Sequence, residues 1–155
     1  MTSTVTLRPV TLDDLPIFYG QQREPEANAM AMFPPREENA FMTHWHKILR
    51  DDTGIIRTIL YNDAVAGNIV CWQGGSDHMV GYWLGKEFWG MGIASHALAQ
   101  FLALIPHRPL AAYVVKNNLG SQRVLEKNGF QKVGVQLIVD DAITDEIEEY
   151  IYHLK

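Results

Sequence analysis

The chain has 155 residues, a net charge of −5 and 47% hydrophobic residues, which suits one domain over residues 1–155 with a sizeable core. The acidic balance argues against a nucleic-acid binder, and the single cysteine, Cys71, excludes an internal disulfide and a multi-cysteine metal site. No apolar run is long enough to span a bilayer, and the first residues lack the pattern of a secretory signal. We therefore expect a cytoplasmic protein with no membrane partner. We also expect no metal.

The first half of the chain predicts helices followed by hairpin strands. A strand is expected at residues 4–9, and Thr11 is expected to cap a helix with acids in its first turn. A second helical pattern covers residues 36–50. Apolar and β-branched runs then predict strands at residues 54–61, 64–72 and 79–84, joined by turns at residues 62–63 and 73–77.

The second half of the chain alternates between helices and strands. An apolar stripe at helical spacing predicts a helix over residues 92–105. Asn118 and Gly129 are the expected N-cap and C′ residues of another helix, over residues 118–128. Strands are predicted at residues 110–115, 131–138 and 146–154. Hairpins followed by strand–helix alternation indicate a mixed sheet with helices on its faces.

The most informative segment, residues 81–94, runs from a strand through a glycine-containing loop directly into a helix. Free N–H groups and the dipole at a helix N-terminus favour an anion, and glycine lets the backbone approach a phosphate closely. The loop lacks the Gly-Lys-Ser/Thr of a Walker A motif, and Ser95 occupies the third-glycine position of a dinucleotide fingerprint. We therefore interpret the loop as another kind of pyrophosphate site, with a glycine loop that binds nothing as the alternative.

The charge distribution around this segment indicates the same kind of ligand. No Asp or Glu occurs from Phe88 to Leu125, whereas Arg108, Lys116 and Arg123 lie in this stretch. An acid-free stretch in an acidic protein predicts a local anion site, unless a buried helix and strand simply lack charge.

Two separate motifs carry a resemblance to a known family. Residues 89–94, Trp-Gly-Met-Gly-Ile-Ala, resemble the acetyl-CoA-binding motif of the GCN5-related N-acetyltransferase (GNAT) superfamily. Residues 81–84 and 118–130, which include Gly-Tyr-Trp-Leu and Glu-Lys-Asn-Gly-Phe, are similar to its RimJ/RimL-like branch. The resemblance implies a GNAT fold of α/β (α+β) class. Its central sheet would be mixed and mostly antiparallel, with about seven strands splayed at the cofactor site and about four flanking helices.

The resemblance also implies how acetyl-CoA would bind as a co-substrate, with an amine as the acceptor. Two strands would separate after Trp83 and Leu84, whose backbone groups would bond the pantetheine together with the side chain of Asn118. The pyrophosphate would lie on the backbone amides of Trp89, Gly90, Met91, Gly92, Ile93 and Ala94. Ser121 would lie near the sulfur and protonate the leaving thiolate, because Leu125 stands where many members have a tyrosine. Alternatively, Ser121 only satisfies the first turn of its helix. No nucleic acid is expected as a partner, and a homodimer stays open.

The general base is the least defined part of the implied mechanism. Members of this branch often carry a Glu at the position of Met79, which cannot accept a proton. The candidate bases are His78 and its neighbour Asp77, together with Glu24 and Glu26 in the loop between the first two helices, unless these side chains are simply solvated. Neutralising a lysine-like amine at pH 7 costs about 4 kcal/mol, against about 1 kcal/mol for an α-amine. The sequence therefore favours an α-amine acceptor, with a non-catalytic acyl-CoA-binding module as the alternative function.

Overall fold

The computed structural model describes residues 4–138 and 147–155. Its strands are β1 (Val5–Arg8), β2 (Ile55–Tyr61), β3 (Ala64–Gly74), β4 (Asp77–Leu84), β5 (Leu110–Val115), β6 (Gln131–Ile138) and β7 (Ile147–Leu154). They form one seven-stranded sheet in the order β1-β2-β3-β4-β5-β7-β6. All neighbours are antiparallel except β4 and β5, so the predicted mixed and mostly antiparallel sheet is confirmed. The predicted first residue of the last strand, Glu146, lies outside the described residues.

Five α-helices flank the sheet within the described part of the chain, whereas about four were predicted. They are α1 (Leu15–Gln22), α2 (Pro25–Ala31), α3 (Glu38–Arg50), α4 (Ile93–Leu102) and α5 (Leu119–Lys127). A 3-10 turn, Leu12–Asp14, precedes α1 and has the predicted Thr11 at its N-cap. α4 ends at Leu102 rather than at residue 105, although Ile105 is still buried.

The additional helix, α2, occupies the segment that the sequence analysis assigned to a loop. Pro25 begins it, at a position where a residue without an N–H loses no helical hydrogen bond. Glu24 is its N-cap, and its side chain accepts a hydrogen bond from the Glu26 N–H at 3.2 Å. The side chain of Asn28 donates to the Gln22 carbonyl at 2.7 Å. Glu24 and Glu26 therefore belong to a helix start, and the loop assignment was wrong.

The hairpin turns that join β2, β3 and β4 are short. Asn62 and Asp63 form the predicted turn between β2 and β3 with φ values of 50° and 69°, a left-handed conformation that Asn and Asp tolerate. β3 and β4 are longer than predicted, so only Gly75 and Ser76 remain as the turn between them. Gly75 has a φ of 68°, which favours glycine.

Helices pack on both faces of the sheet. On one face, Phe101 of α4 is buried against strand residues that include Ile69. On the other face, Phe18 of α1 and Trp45 of α3 pack together, and Val70 lies against them. Ile69 and Val70 are consecutive residues of β3, so the alternation of a strand sends their side chains to opposite layers.

A buried carboxylate fastens the first helix to the sheet. Asp14 is 2% exposed and accepts hydrogen bonds from the Arg8 guanidinium at 2.7 and 2.8 Å. The Thr58 hydroxyl and the Thr11 N–H donate to it at 2.7 and 2.9 Å. Burial by itself would raise the pKa of Asp14, but these donors outweigh burial and hold the pKa well below its usual range.

The parallel strands β4 and β5 pair over a short distance only. His78 lies opposite Leu110, and Met79 lies opposite Ala111. β4 then continues to Leu84 without further pairing to β5. The strands thus separate after Met79, earlier than the separation after Leu84 that the resemblance implied, and one edge of β4 is left open.

Within residues 4–138 and 147–155, none of the helices combines the length and the apolar character that crossing a membrane requires.

Candidate active site

A cavity of about 480 Å³ lies at the point where β4 and β5 separate. Its walls come from α2, the open edge of β4, the glycine loop (residues 85–92), the first turn of α4, and α5. Nine of the ten residues predicted to bind the cofactor line this active-site cavity: Trp83, Leu84, Trp89, Gly90, Gly92, Ile93, Ala94, Asn118 and Ser121. The tenth, Met91, is 50% exposed and lies outside it.

The register of β3 and β4 determines which backbone groups face the gap. The Gly85 N–H donates to the Ala66 carbonyl at 2.9 Å, so these two residues form a hydrogen-bonded pair of the antiparallel ladder. Such pairs occur at every second residue. Trp83 therefore bonds β3 through its backbone, and Tyr82 and Leu84 turn theirs towards the gap. This differs from the expectation that Trp83 offers backbone groups to the pantetheine.

The two tryptophans brace the cavity through their side chains. The Trp83 indole N–H donates to the Gln21 carbonyl of α1 at 3.1 Å, and its ring packs against Phe33 with centroids 5.9 Å apart. The Trp89 indole N–H donates to the Leu84 carbonyl at 3.2 Å. These bonds tie the glycine loop and α1 to the end of β4.

The glycine loop has the geometry of a phosphate site. Gly90 and Gly92 have φ values of 75° and 76°, a left-handed conformation that favours glycine. Apart from its two chain neighbours, a Cβ added at Gly90 would meet no atom of the described residues within 4 Å, so the loop borders open space there. Gly92 is the N-cap of α4, whose first N–H groups have no partner inside the helix and whose first turn carries no acid. The Trp89 N–H is already bonded to the Lys86 carbonyl at 3.1 Å, which removes it from the predicted set of amides.

In the part of the chain that the structure describes, two cations and no carboxylate line the cavity. Arg123 is the only one of the three predicted basic residues there, since Lys116 pairs with Glu148 at 3.1 Å and Arg108 donates to nearby carbonyls. The second cation is Lys127, which the sequence analysis missed. Its signal was the four-residue spacing from Arg123, which places both on one face of α5.

Ser121 lies in this cavity and has a partner that the sequence did not reveal. Its N–H donates to the Asn118 side-chain oxygen at 3.2 Å, which confirms Asn118 as the N-cap of α5. Its Oγ lies 2.8 Å from Tyr82 Oη. Burial raises the pKa of the Tyr82 hydroxyl, and the hydrogen bond with Ser121 offsets this only in part.

None of the candidate bases lines the cavity. His78 lies near the start of β4, about 13 Å along the strand from Tyr82 at about 3.3 Å per residue, and its ring stacks on His107 at 3.9 Å. Glu24 caps α2 and lies 3.7 Å from the Lys86 ammonium, which also pairs with Glu26 at 2.7 Å. No group of three or more metal-ligating side chains occurs among residues 4–138 and 147–155.

Comparisons with known proteins agree with this geometry. A family model described as Acetyltransferase (GNAT) domain matches residues 4–131, so the chain belongs to the GNAT acetyltransferase family. This family uses acetyl-CoA. A search of curated proteins returned no significant match.

Three solved structures illustrate the likeness of fold. A GNAT-family acetyltransferase from Bacillus anthracis is 16% identical, with a TM-score of 0.82 over 97% of this chain and 93% of that one. Spermidine N-acetyltransferase from Vibrio cholerae, in complex with CoA and spermine, is 13% identical, with a TM-score of 0.83 over 97% and 94%. An N-acetyltransferase from Staphylococcus aureus Mu50 is 17% identical, with a TM-score of 0.78 over 97% and 98%. At these identities the likeness establishes the GNAT fold.

Proposed function

We propose that this member of the GNAT acetyltransferase family transfers an acetyl group from acetyl-CoA to a primary amine by direct attack. The preferred acceptor is the α-amine of a peptide N-terminus or of a small molecule. The observation that carries the proposal is the open edge of β4, which leads into a cavity closed by the glycine loop. On the motifs at residues 81–84 and 118–130 we further infer a RimJ/RimL-like, cytoplasmic enzyme of one domain.

The residues present fit the substrate that the family uses. The backbone groups of Tyr82 and Leu84 would bond the pantetheine arm as a neighbouring strand does. The amides of the glycine loop and of the first turn of α4 would hold the pyrophosphate, with Arg123 and Lys127 as counter-charges. Acetyl-CoA supplies an activated acetyl thioester when it is bound. An amide at the open edge of β4, such as that of Leu84, would stabilise the oxyanion.

The charges of the cavity support an α-amine as the acceptor. Direct attack requires a neutral amine, and among residues 4–138 and 147–155 no carboxylate lines the cavity to take a proton from a lysine-like amine. Met79, at the position where a carboxylate would be expected, is buried at 6% exposure.

The test compares matched amines at pH 7, with acetyl-CoA thiol release as the rate and mass spectrometry of the product. One peptide has a free N-terminus and no lysine; its partner has a blocked N-terminus and one lysine; spermidine is the third acceptor. The reference pKa values of about 7.7–8.0 and 10.4 give the α-amine roughly a 300-fold larger neutral fraction. We expect kcat/KM to favour the free N-terminus at least about 100-fold. A lysine side chain or spermidine as the best acceptor contradicts the proposed acceptor class.

A non-catalytic acyl-CoA-binding module is the second candidate function. It is favoured by Met79 and Leu125, which stand where a general base and a general acid are often found. Calorimetric binding of acetyl-CoA without thiol release on a broad panel of amines would support this module and exclude the enzyme.

A further inference from the structure

We propose that Tyr82 is the positioning residue that makes Ser121 a proton donor to the leaving thiolate, an inference that rests on the proposed function and deepens it. Tyr82 Oη and Ser121 Oγ are 2.8 Å apart, and both residues line the active-site cavity. The two residues come from opposite walls, β4 and α5, and are separated by 39 positions in the sequence. A direct hydrogen bond therefore joins the β4 and α5 walls of the cavity.

The direction of this hydrogen bond decides what Ser121 can do. A phenol is a stronger acid than an aliphatic alcohol, so Tyr82 is the better donor of the two. Burial raises the pKa of Tyr82, which keeps its hydroxyl protonated at neutral pH. When Tyr82 donates to Ser121 Oγ, the serine proton is left to point into the cavity.

The start of α5 holds Ser121 in place, but α5 itself contains no tyrosine. The Asn118 side chain fixes the Ser121 backbone at the start of α5. Leu125, one turn further on, is 3% exposed and packs in the core. β4 therefore supplies, through Tyr82, the phenol that α5 lacks.

The proposed reaction moves two protons along the Tyr82–Ser121 pair and needs no further reactant than water. The amine nitrogen forms a bond to the thioester carbon, and when the C–S bond breaks, its electron pair stays on sulfur. Ser121 Oγ gives its proton to the sulfur, and Tyr82 Oη gives its own proton to Ser121 Oγ. The negative charge then lies on a phenolate rather than on an alkoxide. Water returns a proton to Tyr82 and takes one from the new amide nitrogen.

The experiment is a double-mutant cycle of Tyr82→Phe and Ser121→Ala, with Tyr113→Phe as the control. Tyr113 is exposed on β5 and does not line the cavity. We measure kcat with a free-N-terminus peptide, acetyl-CoA affinity by calorimetry, and Tm for each variant. We expect Tyr82→Phe to lower kcat about 10- to 100-fold, with acetyl-CoA affinity within about twofold, since a positioned acid acts only in the transition state. The double variant should be no slower than Ser121→Ala alone.

Three results would overturn the inference. The first is a kcat of Tyr82→Phe that equals that of the unaltered chain. The second is a double variant whose loss is the product of the two single losses, because Tyr82 would then act independently of Ser121. The third is a parallel loss of kcat, acetyl-CoA affinity and Tm, which marks a purely structural role. Absence of acetyl transfer by the unaltered chain would instead reject the proposed function itself.

Discussion

The left-handed backbone of the glycine loop can be tested with a single methyl group. In Gly90→Ala, the added Cβ meets no atom of the described residues within 4 Å beyond the two chain neighbours, so the change acts through the φ of 75°. An L-residue in this conformation costs about 1–2 kcal/mol. If the free loop relaxes to a negative φ, acetyl-CoA binding must restore the strained form. Affinity then falls about 5- to 30-fold, at 1.4 kcal/mol per factor of ten.

Gly75→Ala is the matched control for this prediction. Gly75 has a φ of 68°, and a Cβ there also meets nothing within 4 Å, but the residue lies in the hairpin turn and outside the cavity. If the strain is retained, either variant loses roughly 2–8 °C in Tm, at about 2–4 °C per kcal/mol for a chain of this size. Only Gly90→Ala should weaken acetyl-CoA binding in calorimetry. Unchanged affinity of Gly90→Ala without a loss of Tm, or an equal loss of affinity in Gly75→Ala, would refute the assignment of the loop as the phosphate site.

Two further predictions concern proton transfer and pH. Because neither side chain lines the cavity, His78→Ala and Glu24→Gln should each lower kcat/KM by less than tenfold. The pH profile of kcat/KM should rise towards the pKa of the acceptor amine. A plateau near pH 7 that disappears in His78→Ala would identify His78 as the base. The lowered pKa of Asp14 stabilises the fold above the unfolded-state pKa of about 3.9 and loses this contribution as the pH falls. The free energy of unfolding, measured with urea, should therefore decrease from about pH 5 to pH 3 in the unaltered chain and should decrease much less in Asp14→Asn. If the two proteins lose stability in parallel over this range, the role of the Arg8–Asp14 pair is contradicted.

Much of the fold could be predicted because its signals are local. Alternating apolar residues, the turn at Asn62 and Asp63, and the cap at Asn118 each act within a few residues. α2 escaped prediction because its seven residues are held partly by a contact with another element. The Asn28 side chain donates to the Gln22 carbonyl at the end of α1, a partner that a local pattern does not reveal.

The candidate site was only partly predictable for a related reason. The glycine loop is contiguous, so its backbone role could be inferred from residues 89–94 alone. Lys127 and Tyr82 depend on which elements face each other across the cavity. The pairing of Tyr82 with Ser121 spans 39 positions, and neither the hydrophobic pattern nor the spacing of motifs encodes such a contact. Likewise, only the register of β3 and β4 shows that the backbone groups of Tyr82 and Leu84, and not those of Trp83, face the gap.

The alternation of β4 explains how Tyr82 can present its backbone groups to the gap and its side chain to Ser121. Side-chain direction and hydrogen-bonding direction each reverse at every residue of a strand, so residues two apart share both. Tyr82 and Leu84 accordingly turn their side chains towards the layer that contains α4 and α5, and their backbone groups towards the gap. Trp83 has the opposite pair of directions, bonding β3 through its backbone and α1 through its indole. A one-residue slip of register would reverse both sets at once, so the pairing of Gly85 with Ala66 places the open edge of β4 and the Tyr82–Ser121 contact together.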